Sequence, residues 1–171
     1  FPDHELLYWR RNINILPCEI HQRTRGKDFT VLSRTHKWWR ATVMADLHRQ
    51  GLLGNSYWSY NTKIKIDDQE EDNPIEVDTL EIRDYMQKFL AEGPYRCDTM
   101  SDSQHNDHSL LESAHYTNSY CNIILETHFD ADQSGGSFLT EKTFKAIKHG
   151  QPFIIVGAPG SLATLRNLGY R

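Results

Sequence analysis

Apolar and polar positions change period several times along the chain, and each change marks an element. Asp28-Phe29-Thr30-Val31-Leu32-Ser33-Arg34 is apolar and β-branched in the manner of a strand. From Trp38 to Leu53 the spacing turns helical through Trp39, Val43, Ala45 and Leu47, with Gly51 as the stop. Tyr57 to Asn61, led by the aromatic run Tyr57-Trp58-Ser59-Tyr60, predicts a second strand. Helical spacing returns from Glu76 to Ala91 through Leu80, Ile82, Met86, Phe89 and Leu90, and ends at Gly93-Pro94. Ser109 to Ser119 predicts a short helix that runs into a strand over Tyr120 to Glu126. Thr140 is a fitting N-cap for a helix carrying Phe144, Ile147 and Lys148, and Gly150 follows where a helix ends in the left-handed region. Phe153 to Val156 is then a short apolar run of the kind that parallel strands bury, and Pro159-Gly160 opens a last helix.

Strands alternating with helices predict an α/β fold, a Rossmann-like parallel sheet flanked by helices, with strands near Asp28–Arg34, Tyr57–Asn61, Tyr120–Glu126 and Pro152–Gly157. Residues 1–27 show no sustained period. They read as an irregular lead-in with a short helix around Leu6 to Arg11, ahead of one domain over residues 28–171.

Composition narrows the function classes. With 171 residues and 38% apolar content the chain can bury a real core. A net charge of −4 lacks the footprint of a nucleic-acid binder, and the local cluster Arg10, Arg11, Arg23, Arg25 and Lys27 reads as a solvated linker. Cys18, Cys97 and Cys121 are odd in number and far apart, which fits free thiols in a reducing, cytoplasmic setting better than a disulfide framework. No run approaches the length of a membrane helix. The chain starts without a methionine and stops just after a helix where such a sheet would normally continue, so a fragment is expected.

Several stretches carry candidate chemistry. A helix that begins Thr140-Glu141-Lys142 offers backbone N–H groups and an ammonium to an anion, and phosphate is the usual guest. Glu126, at the carboxyl end of its strand, lies where open α/β sheets collect ligands. The same region also reads as a calcium loop: Asp130, Asp132, Ser134 and Glu141 stand at the first, third, fifth and twelfth positions of an EF-hand pattern. Against it, Ser137 occupies a position that pattern keeps apolar, and Cys121 to Leu125 reads as strand where a helix should enter. Asp102, His105, Asp107 and His108 lack the spacing of a metal site, and Asp67 to Pro74 reads as an exposed acidic loop. The aromatic run could stack on a base, although core packing is its commoner use.

Taken together, Ile123-Ile124-Leu125-Glu126, Phe138-Leu139-Thr140-Glu141-Lys142 and Gly150-Gln151-Pro152-Phe153-Ile154-Ile155-Val156 resemble the C-terminal donor-binding domain of GT-B glycosyltransferases, above all the α-1,3-fucosyltransferase group. Gly157-Ala158-Pro159-Gly160 through Tyr170 also looks like phage and marine sequences described as glycosyltransferases. The resemblance implies a nucleoside diphosphate sugar as donor substrate, a GDP-sugar first, with no cofactor required. It implies that Glu141 accepts hydrogen bonds from the ribose, that Lys142 lies against the diphosphate, and that Glu126 and Thr140 line the donor site. Arg40, or in its place Arg34, would contact a phosphate at the first strand-to-helix turn; both arginines could instead cover the sheet edge and stack on Trp38 and Trp39. Phe138 stands where many of these enzymes have tyrosine, and Thr127 where they have asparagine. The acceptor, a glycan or protein, and the general base would belong to a missing N-terminal domain, leaving this chain inactive alone. A single EF-hand-like calcium module and a non-catalytic nucleotide-binding α/β domain are the alternatives.

Overall fold

The computed structural model describes residues 22–62, 80–97, 113–130 and 138–170. The expected helix near Leu6, the acidic loop after Asp67 and the Asp/His stretch 102–108 lie outside the described residues. In chain order the elements are β1 (Lys27–Ser33), α1 (Trp38–Arg49), β2 (Tyr57–Tyr60), α2 (Leu80–Glu92), α3 (Ser113–Thr117), β3 (Ser119–Leu125), α4 (Glu141–Lys148), β4 (Phe153–Val156) and α5 (Ser161–Asn167). Four strands form one sheet in the order β2-β1-β3-β4. β1 runs parallel to β3 with Phe29 opposite Cys121, and β3 runs parallel to β4 from Asn122–Phe153 to Leu125–Val156. This is the α/β class that the alternating pattern predicts, a parallel sheet flanked by helices.

Strand ends shift by a residue from the sequence reading, and two boundaries differ for a visible reason. α1 ends at Arg49 with Gln50 as its cap, because the chain turns at Gly51, where φ is +73°, so Leu53 lies beyond the helix. Ser119 belongs to β3, not to the preceding helix: it pairs in register with Lys27, and its hydroxyl donates to the His115 carbonyl at 2.7 Å.

The chain divides into two compact units, Phe1–Thr30 with Met100–Arg171, and Val31–Thr99. In the first, Leu139, Phe144 and Leu165 form a buried cluster against which Ile147, Phe153, Ile155 and Tyr170 pack. α4 closes as expected: Gly150, at φ +57°, donates to the Ile147 carbonyl at 2.9 Å, and Gln151 N–H donates to Ala146 at 3.0 Å. That pair of bonds is a Schellman motif, which needs the left-handed backbone glycine adopts without strain. Thr30, Ser119 and Gln151 link side chains below the strands, with Thr30 Oγ1 2.6 Å from Ser119 Oγ and Gln151 Nε2 donating to that hydroxyl at 2.6 Å.

In the unit Val31–Thr99, α1 buries Arg40, Ala41, Met44 and Ala45, one stripe at helical spacing. The aromatic run packs rather than standing open: Trp58 lies 4.8 Å from Tyr95, Tyr60 5.6 Å from Phe89, and Phe89 stacks on Tyr95 at 4.7 Å between ring centroids. His48 sits among Trp58, Tyr85, Phe89 and Tyr95, with Nδ1 2.9 Å from the Tyr85 hydroxyl. Burial and the neighbouring Glu92 carboxylate push the Tyr95 hydroxyl up to about 12.

Candidate functional site

The carboxyl ends of β3 and β4 lie side by side, and their backbone holds them there. Glu126 N–H donates to the Val156 carbonyl at 2.9 Å, and Ala158 N–H donates to the His128 carbonyl at 3.1 Å. Gly157 is required by this close approach, since a Cβ added there would stand 2.9 Å from Glu126 Cβ, closer than side-chain carbons pack. Just after Leu125, therefore, the chain sets down a glutamate with no room on one side.

Glu126 is fully buried, at 0% exposure. Its carboxylate is spent on the start of α4. Oε1 accepts the Thr140 N–H at 3.1 Å and the Thr143 hydroxyl at 2.6 Å, while Oε2 accepts the Thr140 hydroxyl at 2.6 Å. Bonds of this length to an anionic oxygen are the strong, charge-assisted kind. Thr140 is thus the N-cap that the sequence indicates, with an extended backbone and its side chain accepting from Lys142 N–H at a long 3.5 Å.

Lys142 folds back over the same turn. Its Nζ donates to Thr140 Oγ1 at 3.1 Å and lies 3.2 Å from Glu141 Oε1. The lysine and glutamate side chains are 27% and 17% exposed, so the pair is mostly buried and reaches solvent only in part. Burial works to raise the Glu141 carboxyl, but the Lys142 charge and hydrogen bond, a backbone N–H and Lys145 outweigh it and hold the group below its ordinary value. Glu141 is accordingly an ionised, acceptor-only group at neutral pH. Phe138, half-buried, meets the His128 ring edge-on at 5.0 Å.

The structure thereby links Glu126, Thr140, Glu141 and Lys142 by direct contacts in the unit that contains β3, β4 and α4, while Phe138, in the same unit, packs on His128. No protein-family model, curated protein or solved structure matches the chain. What this turn can do is therefore read from its own chemistry.

Arg34 and Arg40 belong to the other unit. Arg34 is half-buried just after β1. Arg40 is only 2% exposed in the first turn of α1, its Nη1 donates to the Thr35 carbonyl at 3.3 Å, and its guanidinium lies 5.1 Å from the centre of the Trp39 ring. Stacking on a tryptophan is thus part of what holds Arg40. Nearby, the Tyr60 hydroxyl is 3.0 Å from His36 Nδ1 and 3.3 Å from the Lys37 carbonyl; burial pushes the tyrosine up and the histidine down in pKa.

Of the calcium pattern, Asp132 and Ser134 lie outside the described residues, and Asp130 is exposed. A cation seated on Glu141 would have to displace the Lys142 ammonium already 3.2 Å away.

His128 escaped the sequence reading. It follows β3 by three residues, and its buried Nδ1 has no hydrogen-bond partner among the described residues. The signal that could have found it is position alone, a histidine at the carboxyl end of a parallel strand.

Proposed function

We propose that this chain is the donor-binding part of a glycosyltransferase, holding the nucleoside diphosphate of an activated sugar at the N-terminal turn of α4. The observation that carries the reading is the Thr140-Glu141-Lys142 turn, anchored at the carboxyl ends of two parallel strands with an ammonium and an ionised carboxylate side by side and partly open to solvent. The two groups divide the labour. Lys142 supplies a point charge to the diphosphate, while Glu141 accepts hydrogen bonds from ribose hydroxyls. The positive end of the α4 dipole adds to the stabilisation of the negative charge that grows on the leaving diphosphate, so the chemistry requires no metal. The resemblance to the fucosyltransferase group supports a GDP-sugar as the first donor to try, and it assigns the acceptor and the general base to another domain.

Calorimetric titration of the protein with GDP and UDP tests this. GDP should bind saturably, and Lys142→Ala should weaken it roughly ten- to a hundredfold, the effect of one charge-assisted contact worth about 1.5–3 kcal/mol. Equal affinity in wild type and variant would overturn the assignment.

A further inference from the structure

Among the site residues, Glu126 stands apart: it is chemically suited to a ligand yet has no surface to offer one. Its carboxylate is fully buried and its oxygens accept from Thr140 and Thr143, on the inner side of the turn whose outer side carries Lys142 and Glu141. The hydroxyl of Thr140 joins the two sides. It donates to Glu126 Oε2 at 2.6 Å and accepts from Lys142 Nζ at 3.1 Å. A hydroxyl has one proton and two lone pairs, and an ammonium can only donate, so giving the proton to the carboxylate leaves both lone pairs to accept from Lys142 N–H and Nζ. While the carboxylate takes that proton, the lone pairs of Oγ1 must face the other way, towards the ammonium.

We propose that Glu126 is a positioning residue for Lys142: through the Thr140 hydroxyl it fixes the ammonium over the first turn of α4, and it does so without touching the ligand. The idea rests on the nucleotide reading for its functional consequence, but the link itself is a property of the free protein. A polarised chain of hydrogen bonds strengthens each member, so the short bond to a carboxylate makes Oγ1 a better acceptor for Lys142. Replacing the carboxylate by an amide removes that drive: a glutamine N–H where Oε2 stood donates to Thr140 Oγ1 and takes one of the two lone pairs that Lys142 N–H and Nζ otherwise share.

The test follows the Lys142 ammonium directly. Its hydrogen exchange is read from 15N–1H spectra of the full chain at mildly acid pH and low temperature, and GDP affinity is measured on the same samples. In Glu126→Gln, with circular dichroism showing a folded protein, the ammonium should exchange roughly fivefold faster and GDP should bind at least about tenfold more weakly. Thr140→Ser, made with Glu126 intact, keeps the hydroxyl link and should show the slow exchange and the GDP affinity that Glu126→Gln loses. Thr140→Val cuts the same link from the other end and stands in if Glu126→Gln does not fold. A purely structural Glu126 would lower the melting temperature and leave the ammonium signal of the folded protein unchanged, and that result overturns the proposal. Failure of wild type to bind GDP would strike the nucleotide reading alone, since the exchange rates still decide the link.

Discussion

Two strand-to-helix junctions in this molecule bury opposite charges at the start of their helices. After β3, the chain returns to α4 through a threonine cap seated on a buried glutamate, with a second glutamate in the first helical turn. After β1, α1 starts from Lys37 with no side-chain cap and no acidic residue in its first turn, and a buried arginine follows. The free N–H groups of a helix start favour negative charge. At α4 the protein provides that charge internally, which frees the junction to carry a lysine held in place and partly open to solvent. At α1 it does not, and Arg40 is instead held by the Thr35 carbonyl and the Trp39 face. One junction is built around a carboxylate and the other around a guanidinium, so they should respond differently to substitution and to acid.

The largest difference should appear on removing the buried charge at each. Glu126→Ala leaves the Thr140 N–H and the two threonine hydroxyls without their acceptor inside the protein, at a cost of about 3–5 kcal/mol in urea unfolding. Arg40→Ala gives up packing, the hydrogen bond to the Thr35 carbonyl and the stacking on Trp39, and should cost less, about 2–3 kcal/mol. If the order were reversed, Glu126 would not be the anchor that the geometry makes it.

The contrast between the junctions was only half legible in the sequence. Thr140, Gly150 and the run Phe153 to Val156 are local signals, cap, stop and strand within a few residues, and the structure keeps cap, stop and strand but not the burial: β4 ends the sheet order, none of its residues is buried and Ile154 is 53% exposed. The side of α1 that is buried was legible in principle, because Arg40 shares a stripe with Met44 and Ala41 with Ala45, but the larger Trp39, Val43 and Leu47 pointed to another face. A charged residue on a buried stripe is the rarer event, so hydrophobicity misplaced it. Glu126 drew notice in the sequence for its position, not for its partners. Its place at a strand end suggested a ligand, whereas what fixes its side chain is Thr140 and Thr143, fourteen and seventeen residues away. Two threonines three apart at a helix start are the trace such an anchor leaves in a sequence.

Acid should sharpen the comparison by a smaller amount. The folded Glu141 carboxyl titrates below its ordinary 4.5, so its contribution is complete above that pH and is lost as the pH falls through the lower folded value. Wild type and Glu141→Gln should therefore differ by a constant stability at neutral pH and converge in acid, as read from urea midpoints over a pH series. A difference that widened on acidification would contradict the pairing of Glu141 with Lys142.

The claim that matters most is that the α4 turn recognises a diphosphate through Lys142. Saturation-transfer NMR that compares GDP with guanosine isolates that contact, because the two ligands share base and ribose and differ only in the phosphates. GDP should bind at least about tenfold more tightly than guanosine, the worth of one charge-assisted contact, and Lys142→Ala should remove most of the difference, leaving what the α4 N-terminus contributes. Equal binding of the two ligands by the wild-type protein would contradict that claim.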